Sequence, residues 1–369
     1  MRPPDASFIR RCMRRYYFER FDMIELPSDM PKREFGYRRA DSGMVRHIQL
    51  HDAADLRVLL LQAVPLEVYV SNARYLLPSQ PIPEKVWEDA HLIFDIDAKD
   101  LNLECRPSHT AVSCERCGHG TPGPCERCGH RGVRKTSVAC NSCMKAAGEQ
   151  AGRLLEILAD DLGVREGVRV YFSGNEGFHV HVHDEQLARL GAAERTELAD
   201  YMAFRGIMPE RLGVTRDGAA SLPRPSEGGW RGRFAREILG SKAGRSRTAR
   251  EVSSGGYDAF ARKVGEMASR LGVRIDPGVT MDVHRIFRMP GTVNGKSGMA
   301  KVPCEDPKKF DPYVSAVVIS DEPVHIRASC PVPFRIMKKR FGPYSNEYVE
   351  VPAYAAAYMV CKGLAHVVE

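Results

Sequence analysis

Hydrophobic and polar residues alternate along residues 94–97, at the end of an apolar stretch that reads Leu-Ile-Phe-Asp-Ile-Asp over residues 92–97. Side chains two residues apart in a strand point to the same face, so we expect Phe94 and Ile96 to face a core. Asp95 and Asp97 then project together from the opposite face. Paired carboxylates are ligands that hard cations such as magnesium prefer, and paired metals of this kind support phosphoryl transfer. The pattern therefore predicts a strand that carries a divalent-metal site, although an acidic pair of this kind, taken alone, is more often a solvated edge or the start of a loop.

A glycine-bearing turn at residues 173–177 separates two further apolar stretches, which we interpret as paired strands. The turn offers backbone amides, the hydroxyl of Ser173 and, just beyond it, the imidazole of His179, all groups that can cradle phosphates. A plain hairpin would also use Gly174 and Gly177, because glycine adopts positive φ without strain, and His179 also suits a buried core position. By itself the turn favours neither interpretation.

Other segments have apolar residues at helical spacing. The spacing predicts a basic helix over residues 5–20, a helix with one buried face over 145–162, and an amphipathic helix over 260–271 that ends at Gly272. Strands and helices in this order indicate a mixed α/β or α+β fold with a sheet core that carries the acidic strand.

Residues 216–256 differ from the rest of the chain. Eight arginines and many Gly and Ser residues lie between 216 and 250, with few large hydrophobic residues among them. We expect an insertion or arm within the larger domain. A solvated loop is the favoured interpretation, and an arm that contacts template phosphates through arginine is the alternative.

Length and charge set broad limits. A chain of 369 residues with 43% hydrophobic and 27% charged residues is typical of a soluble globular protein with one large or two unequal domains. The formal charge of +7 favours an anionic partner without establishing one. No apolar stretch is long enough for a membrane span, and the arginine-rich N-terminal region lacks a signal-peptide core, so we expect a cytoplasmic protein with no membrane association.

Seven of the eleven cysteines lie between Cys105 and Cys143, mostly in pairs with two intervening residues. In a reducing compartment this clustering indicates metal thiolates, and two such pairs complete a tetrahedral zinc site. With three nearby histidines there are enough ligands for a second, so we expect one or two structural zinc ions. The preferred partition assigns one zinc to Cys114, Cys117, Cys125 and Cys128, and the other to Cys105, His109, Cys140 and Cys143.

With these motifs in place, the chain resembles the catalytic (small) subunit of archaeal and eukaryotic DNA primases over most of its length. The family's elements appear in order, and such an ordered set is more specific than any single member. They are Tyr16-Tyr17, Arg33-Glu34-Phe35-Gly36, Tyr69 with Ser71-Asn72-Ala73-Arg74-Tyr75, Asp95-Ile96-Asp97, a zinc knuckle ending at Cys140 and Cys143, the turn Ser173–His179, and Arg285-Ile286-Phe287-Arg288-Met289-Pro290 followed by Gly295-Lys296-Ser297-Gly298.

The resemblance implies specific roles for residues near the C-terminal motif. The family uses a third carboxylate, for which Asp276 is the better match by spacing and Asp282 the fallback. Asp95, Asp97 and Asp276 would then hold two magnesium or manganese ions. The nucleotide-binding residues implied are Ser173, Gly174, Gly177, His179, Arg285, Arg288 and Lys296.

By the same resemblance, the expected function is that of a DNA-dependent RNA polymerase, a primase that makes short primers on a single-stranded DNA template from nucleoside triphosphates. An iron-sulfur large subunit is the expected partner in a heterodimer. Residues 1–104 and 144–369 would form the catalytic domain, with a zinc-binding insertion at 105–143. The alternatives are a primase-polymerase for DNA repair or gap filling, and a zinc-containing nucleic-acid-binding protein with an inactive core.

Three features depart from the family pattern. Asn175 and Glu176 replace an arginine that many relatives carry in the turn, which suggests one less cation and an extra negative charge near the phosphates. Asn294 replaces a common histidine. The stretch from Cys114 to Cys128 is an addition to the usual single zinc knuckle.

Overall fold

A computed structural model describes residues 1–39, 43–121, 123–219, 221–239 and 242–368. Short 3₁₀ turns and one π-helical turn, Ala235–Leu239, occur between the regular elements. The α-helices in these ranges are α1 (Pro3–Glu19), α2 (Ala53–Ala63), α3 (Asn141–Asp161), α4 (Glu185–Ala188), α5 (Ala192–Met202), α6 (Gly229–Phe234), α7 (Lys242–Ser253), α8 (Tyr257–Leu271), α9 (Pro277–Met281), α10 (Pro312–Ser315) and α11 (Ala353–Cys361).

Within the part of the chain that the structure describes, the strands are distributed over three larger antiparallel sheets and four two-stranded hairpins. In chain order they are β1 (Phe35–Arg38), β2 (Met44–Ile48), β3 (Glu67–Ser71), β4 (Ala73–Tyr75), β5 (Trp87–Ala90), β6 (Leu92–Asp97), β7 (Thr110–Cys114), β8 (Val133–Ser137), β9 (Val168–Phe172), β10 (Gly177–Val182), β11 (Val214–Thr215), β12 (Gly218–Ala219), β13 (Ile286–Arg288), β14 (Val302–Pro303), β15 (Pro323–Cys330), β16 (Phe334–Ile336), β17 (Lys339–Phe341), β18 (Tyr344–Pro352) and β19 (Ala365–Val367).

The acidic strand β6 is an edge strand of the first sheet, sheet I, whose order is β14-β9-β10-β6. On one face of the sheet, Phe94 and Ile96 are fully buried, as are Phe178 and Val180 of the neighbouring β10, and helix α3 covers them. The opposite face carries the acidic residues. The alternation of side chains along β6 therefore puts Phe94 and Ile96 in the core and leaves Asp95 and Asp97 on the face that could bind a ligand.

A second sheet, sheet II, has the order β13-β3-β1-β2 and lies against the polar face of sheet I. Phe287 of β13 packs against two histidines of β10, with ring centroids 5.9 Å from His179 and 6.2 Å from His181. Arg288, the next residue, donates a hydrogen bond to the Ser173 carbonyl at 3.1 Å. The two sheets thus form the walls of one cleft, with the turn after β9 at one end.

The C-terminal sheet, β18-β15-β19, packs on α11, and α11 in turn contacts α1. The tyrosine pair at the end of α1 holds the loop after β13: Tyr16 donates its hydroxyl hydrogen to the Gly291 carbonyl at 2.8 Å, and the Tyr17 hydroxyl accepts from the Val293 amide at 3.2 Å. This chain therefore has a mixed α+β fold, as expected. In the described ranges, no helix combines the length and the apolar character that crossing a membrane requires.

The expectation of a solvated loop over residues 216–256 is wrong, because α6 and α7 lie within this segment. Although large hydrophobic residues are few, Trp230 and Phe234 are spaced one helical turn apart and both are buried. Trp230 stacks on Phe204 with a centroid distance of 4.1 Å and donates to the Tyr201 carbonyl. Two well-placed aromatic anchors therefore order a segment whose average composition is that of a loop.

Candidate active site and metal centres

Asp95 and Asp97 lie on the cleft face of β6, near the turn that joins β9 and β10. In the sheet register, His179 faces Asp95 and Gly177 faces Asp97. The His179 Nε2 atom is 3.5 Å from Asp95 Oδ1, which is too long for an ordinary hydrogen bond. Within the described part of the chain, Asp95 Oδ1 is buried and has no hydrogen-bond partner. Lys99 is ion-paired with Asp97.

The third carboxylate is positioned by a contact between distant parts of the chain. The Asp276 amide donates to the Asp95 carbonyl at 2.9 Å, which places Asp276 beside the two strand carboxylates. Asp282 lies at the other end of α9, where its carboxylate accepts from the His284 amide. Of the two candidates, the structure brings Asp276 together with Asp95.

Electrostatics at this cluster favour a cation. Burial, together with the negative charges of Asp97 and Asp276, raises the pKa of Asp95 to about 7. A buried carboxylate oxygen without a partner, crowded by further carboxylates, is unfavourable unless positive charge is present. Carboxylate oxygens are also the ligands of Mg²⁺ and Mn²⁺. The three aspartates therefore fit divalent cations.

The turn at residues 173–177 has a conformation that requires glycine. Gly174 has φ of +88°, and a Cβ atom there would lie 2.9 Å from the Asn294 Cβ. A Cβ on Gly177 would approach the Ile96 carbonyl oxygen to 2.3 Å. The Ser173 amide donates to the Gly177 carbonyl at 2.9 Å and closes the turn. Glycine thus allows the turn to lie directly against the acidic strand.

The loop after β13 supports this turn from the other side. Asn294 is buried, donates from Nδ2 to the Ser173 carbonyl at 3.4 Å, and accepts from the Lys296 amide at 2.9 Å. The Ser297 hydroxyl donates to the Gly174 carbonyl. Asn294, which departs from the histidine of the family pattern, therefore links the loop to the turn through hydrogen bonds.

The three predicted cationic residues have different environments. Arg288 is ion-paired with Glu67, a buried residue of β3, and it also bonds the Ser173 carbonyl. Burial opposes ionisation of Glu67, but the charges of Arg288 and Arg38 outweigh it and lower the pKa of Glu67. Arg285 is half-buried, and its charge acts on Asp95. Lys296 is exposed.

His179 belongs to a row of imidazoles on one face of β10. Burial, and then the positive charge of Lys301, lowers the pKa of His179 well below its ordinary value, so the imidazole is neutral at physiological pH. Among the described residues its Nδ1 has no hydrogen-bond partner. Lys301 is fully buried, with its Nζ 3.0 Å from His181 Nε2. The period-two spacing of the histidines signals their common face, whereas no local pattern marks Lys301.

Among the described residues, cysteines and one histidine form two separate groups, each with ligand atoms within 4.8 Å of one another. The structure places in each group the residues that the preferred partition assigns to it. The groups are Cys105, His109, Cys140 and Cys143, and Cys114, Cys117, Cys125 and Cys128.

The sulfur–sulfur distances within both groups suit an ion with tetrahedral coordination. The Cys105–Cys143 and Cys114–Cys128 sulfur pairs are both 3.7 Å apart. Four sulfurs around one zinc, each about 2.3 Å from it, would be about 3.8 Å apart. A hydrogen bond from Cys143 lowers the pKa of Cys140 to about 5, which favours the thiolate that binds metal. These groups could therefore hold zinc.

The repeated Cys-Gly-His pattern has a structural explanation. Gly118 and Gly129 have φ of +70° and +68°, and their amides donate to the carbonyls of Cys114 and Cys125, closing two equivalent knuckles. The histidine that follows each glycine supplies its backbone carbonyl to the knuckle and is not in either ligand group. The helix α3 begins at Asn141, earlier than the expected Lys145, so Cys143 lies in its first turn.

Several known proteins are similar to this chain in sequence. A family model described as DNA primase small subunit matches residues 128–306. The chain is 45% identical to the DNA primase small subunit PriS of Nitrosopumilus maritimus (strain SCM1) and 46% identical to that of Cenarchaeum symbiosum (strain A), in both cases over 99% of this chain and 99% of the relative. Among solved structures, the polymerase domain from Mycobacterium tuberculosis ligase D in complex with DNA aligns over 82% of this chain and 83% of that chain, with a TM-score of 0.39 and 14% identity, a likeness too low to support a conclusion.

Proposed function

The chain belongs to the family of DNA primase small subunits, and from this premise we propose that it synthesises short primers on single-stranded DNA by nucleotidyl transfer. The observation that carries the proposal is the juxtaposition of Asp95, Asp97 and Asp276 with the turn at residues 173–177. Three carboxylates that fit divalent cations lie beside backbone amides that can hold a triphosphate. Family membership supports the general activity, and this geometry supports the mechanism.

Asp95, Asp97 and Asp276 would hold two magnesium or manganese ions, which when bound lower the pKa of the attacking 3′-hydroxyl and stabilise negative charge at the α-phosphate. The protein holds the reactants in place. Glu67 holds the guanidinium of Arg288, which donates to the Ser173 carbonyl and so restrains the turn.

The incoming nucleotide would lie against the same turn. The amides of Gly174 and Gly177 and the Ser173 hydroxyl would hold the β and γ phosphates, and neutral His179 would donate an imidazole hydrogen to them. Arg285, Arg288 and Lys296 would neutralise the triphosphate charge. Because Arg288 is already paired with Glu67, Arg285 and Lys296 have more capacity to bind phosphate directly.

The zinc-ligand groups have a structural role in this proposal. Each group offers four protein ligands, which leaves no open position for substrate, so zinc would stabilise the segment 105–143. This segment is inserted into a catalytic domain made of residues 1–104 and 144–369, with its second end continuous with α3. A primase large subunit is the proposed partner in a heterodimer.

The function is tested by primer synthesis on single-stranded DNA with ribonucleotides and, separately, with deoxyribonucleotides. We expect de novo products in the presence of magnesium or manganese. Extension of a supplied DNA primer without de novo products would instead indicate a repair polymerase. Binding of DNA without any incorporation would indicate an inactive nucleic-acid-binding protein.

Alanine at Asp276 is expected to lower the rate of nucleotide incorporation at least about a hundredfold, because a metal ligand beside Asp95 is lost. Asp282→Ala is the matched control, since both carboxylates flank α9 and both accept a nearby backbone amide. The control should stay within about threefold of wild type. Steady-state incorporation of labelled nucleotide measures both, and the reverse order of effects would assign the third carboxylate to Asp282.

A further inference from the structure

Glu176 lies in the phosphate-binding turn, yet its carboxylate is held between cations from two other parts of the fold. Its Oε2 atom is 3.3 Å from Arg106 NH2, and its Oε1 atom is 3.3 Å from Lys362 Nζ. Lys362 also donates to the Asn175 side chain at 3.1 Å. The negative charge that the sequence suggested near the phosphates is therefore paired with two cationic side chains.

The two cations are anchored in different elements. Arg106 directly follows the thiolate ligand Cys105, begins the 3₁₀ turn that ends at His109, and also donates to the Ser137 hydroxyl at 3.0 Å. Lys362 directly follows α11 and lies 5.4 Å from the centre of the Tyr358 ring. The turn is thus attached on one side to the first group of metal ligands and on the other to the C-terminal helix.

Backbone contacts connect the turn that contains Glu176 to the acidic strand β6. The Glu176 carbonyl accepts from the Ala98 amide at 2.9 Å, immediately after Asp97, and the next residue of the turn, Gly177, faces Asp97 in the sheet. A displacement of Glu176 would therefore move the phosphate-binding amides relative to the carboxylates. Because this turn would hold the triphosphate, such a displacement would weaken nucleotide binding.

We propose that Glu176, clamped by Arg106 and Lys362, is a positioning residue that sets the distance between the triphosphate-binding turn and the aspartates. The proposal rests on the proposed function, since it assigns nucleoside triphosphate to this turn. It replaces the simpler view that Asn175 and Glu176 only weaken phosphate binding. Lys362, directly after α11, supplies a cation to the turn from a distant part of the chain.

The test uses the full chain with Glu176→Gln, Lys362→Met and Arg106→Gln. Each variant is expected to raise the KM for ATP about tenfold, with kcat within about threefold of wild type, because the residues act by orienting the turn. Lys362→Arg keeps the charge and should restore most of the affinity. The double variant Glu176→Gln/Lys362→Met should be no worse than either single variant, because both remove the same ion pair.

Asp161→Asn is the control for a general loss of stability. Asp161 is a buried carboxylate paired with Arg233 at 3.0 Å, at the far end of α3, and its loss should lower the unfolding temperature without changing KM. Unchanged KM in the Glu176 and Lys362 variants, or an equal rise in Asp161→Asn, would overturn the proposal.

A second measurement is independent of catalysis. Hydrogen exchange under native conditions should be faster at the amides of residues 173–177 in Glu176→Gln and Lys362→Met, and unchanged there in Asp161→Asn. Unchanged exchange in the first two variants would contradict the clamp. If wild type makes no primer but this local difference is found, the proposed function fails while the clamp stands.

Discussion

Asparagine at Asp95 or Asp97 is expected to reduce nucleotide incorporation by about a thousandfold or more while the protein stays folded. Asparagine keeps the size of the side chain but not the negative charge or the second anionic oxygen that a divalent cation requires. Both carboxylates lie on the cleft face of β6, whereas the core depends on Phe94 and Ile96 on the opposite face. Rates of primer synthesis and circular-dichroism melting curves measure the two effects separately.

Asp100→Asn provides the control for this prediction. Asp100 lies three residues beyond Asp97, in the short turn that follows β6, and its side chain is exposed. The substitution makes the same chemical change nearby without touching the carboxylate cluster, so activity should remain at the wild-type level. Turnover close to wild type in Asp95→Asn or Asp97→Asn would rule out metal binding by these residues as the basis of catalysis.

Serine at both Cys140 and Cys143 is expected to lower the unfolding temperature by roughly 10 °C or more, because a bound structural ion contributes several kcal/mol to folding. Cys140 is the residue before α3 and Cys143 lies in its first turn, and α3 covers the apolar face of sheet I. The Cys140 amide also bonds the buried Tyr313 hydroxyl at 2.9 Å. Loss of this ligand group should therefore destabilise the core that α3 covers.

Serine at Cys125 and Cys128 is the matched double substitution in the other group. It should remove one zinc ion and leave primer synthesis largely intact, because β7 and β8, which flank these knuckles, form a hairpin separate from sheet I. Elemental analysis should find two zinc ions per wild-type chain and one in this variant. A wild-type content of one zinc, unchanged by the Cys125 and Cys128 substitutions, would contradict the assignment of two sites.

Short-range patterns in the sequence were sufficient for the local parts of the site. The alternation in β6 predicted which side chains share a face, and the glycines at 174 and 177 marked a turn between two strands, because strand period and backbone freedom depend only on neighbouring residues. Cysteine spacing likewise predicted two metal-ligand groups with the membership that the structure has. The arginine-rich segment was misjudged because average composition concealed the burial of Trp230 and Phe234.

Contacts between distant segments were decided by the tertiary structure. Motif spacing favoured Asp276 over Asp282, but it did not reveal the backbone hydrogen bond by which Asp276 reaches Asp95. Glu67 restrains Arg288, and Lys362 reaches the turn from the end of the last helix. The sequence by itself determined the chemical groups available and the faces of the strands that carry them. The packing of sheets and helices alone decided which charged residues pair across the cleft. An ion pair between residues far apart in the chain produces no periodic pattern in the sequence.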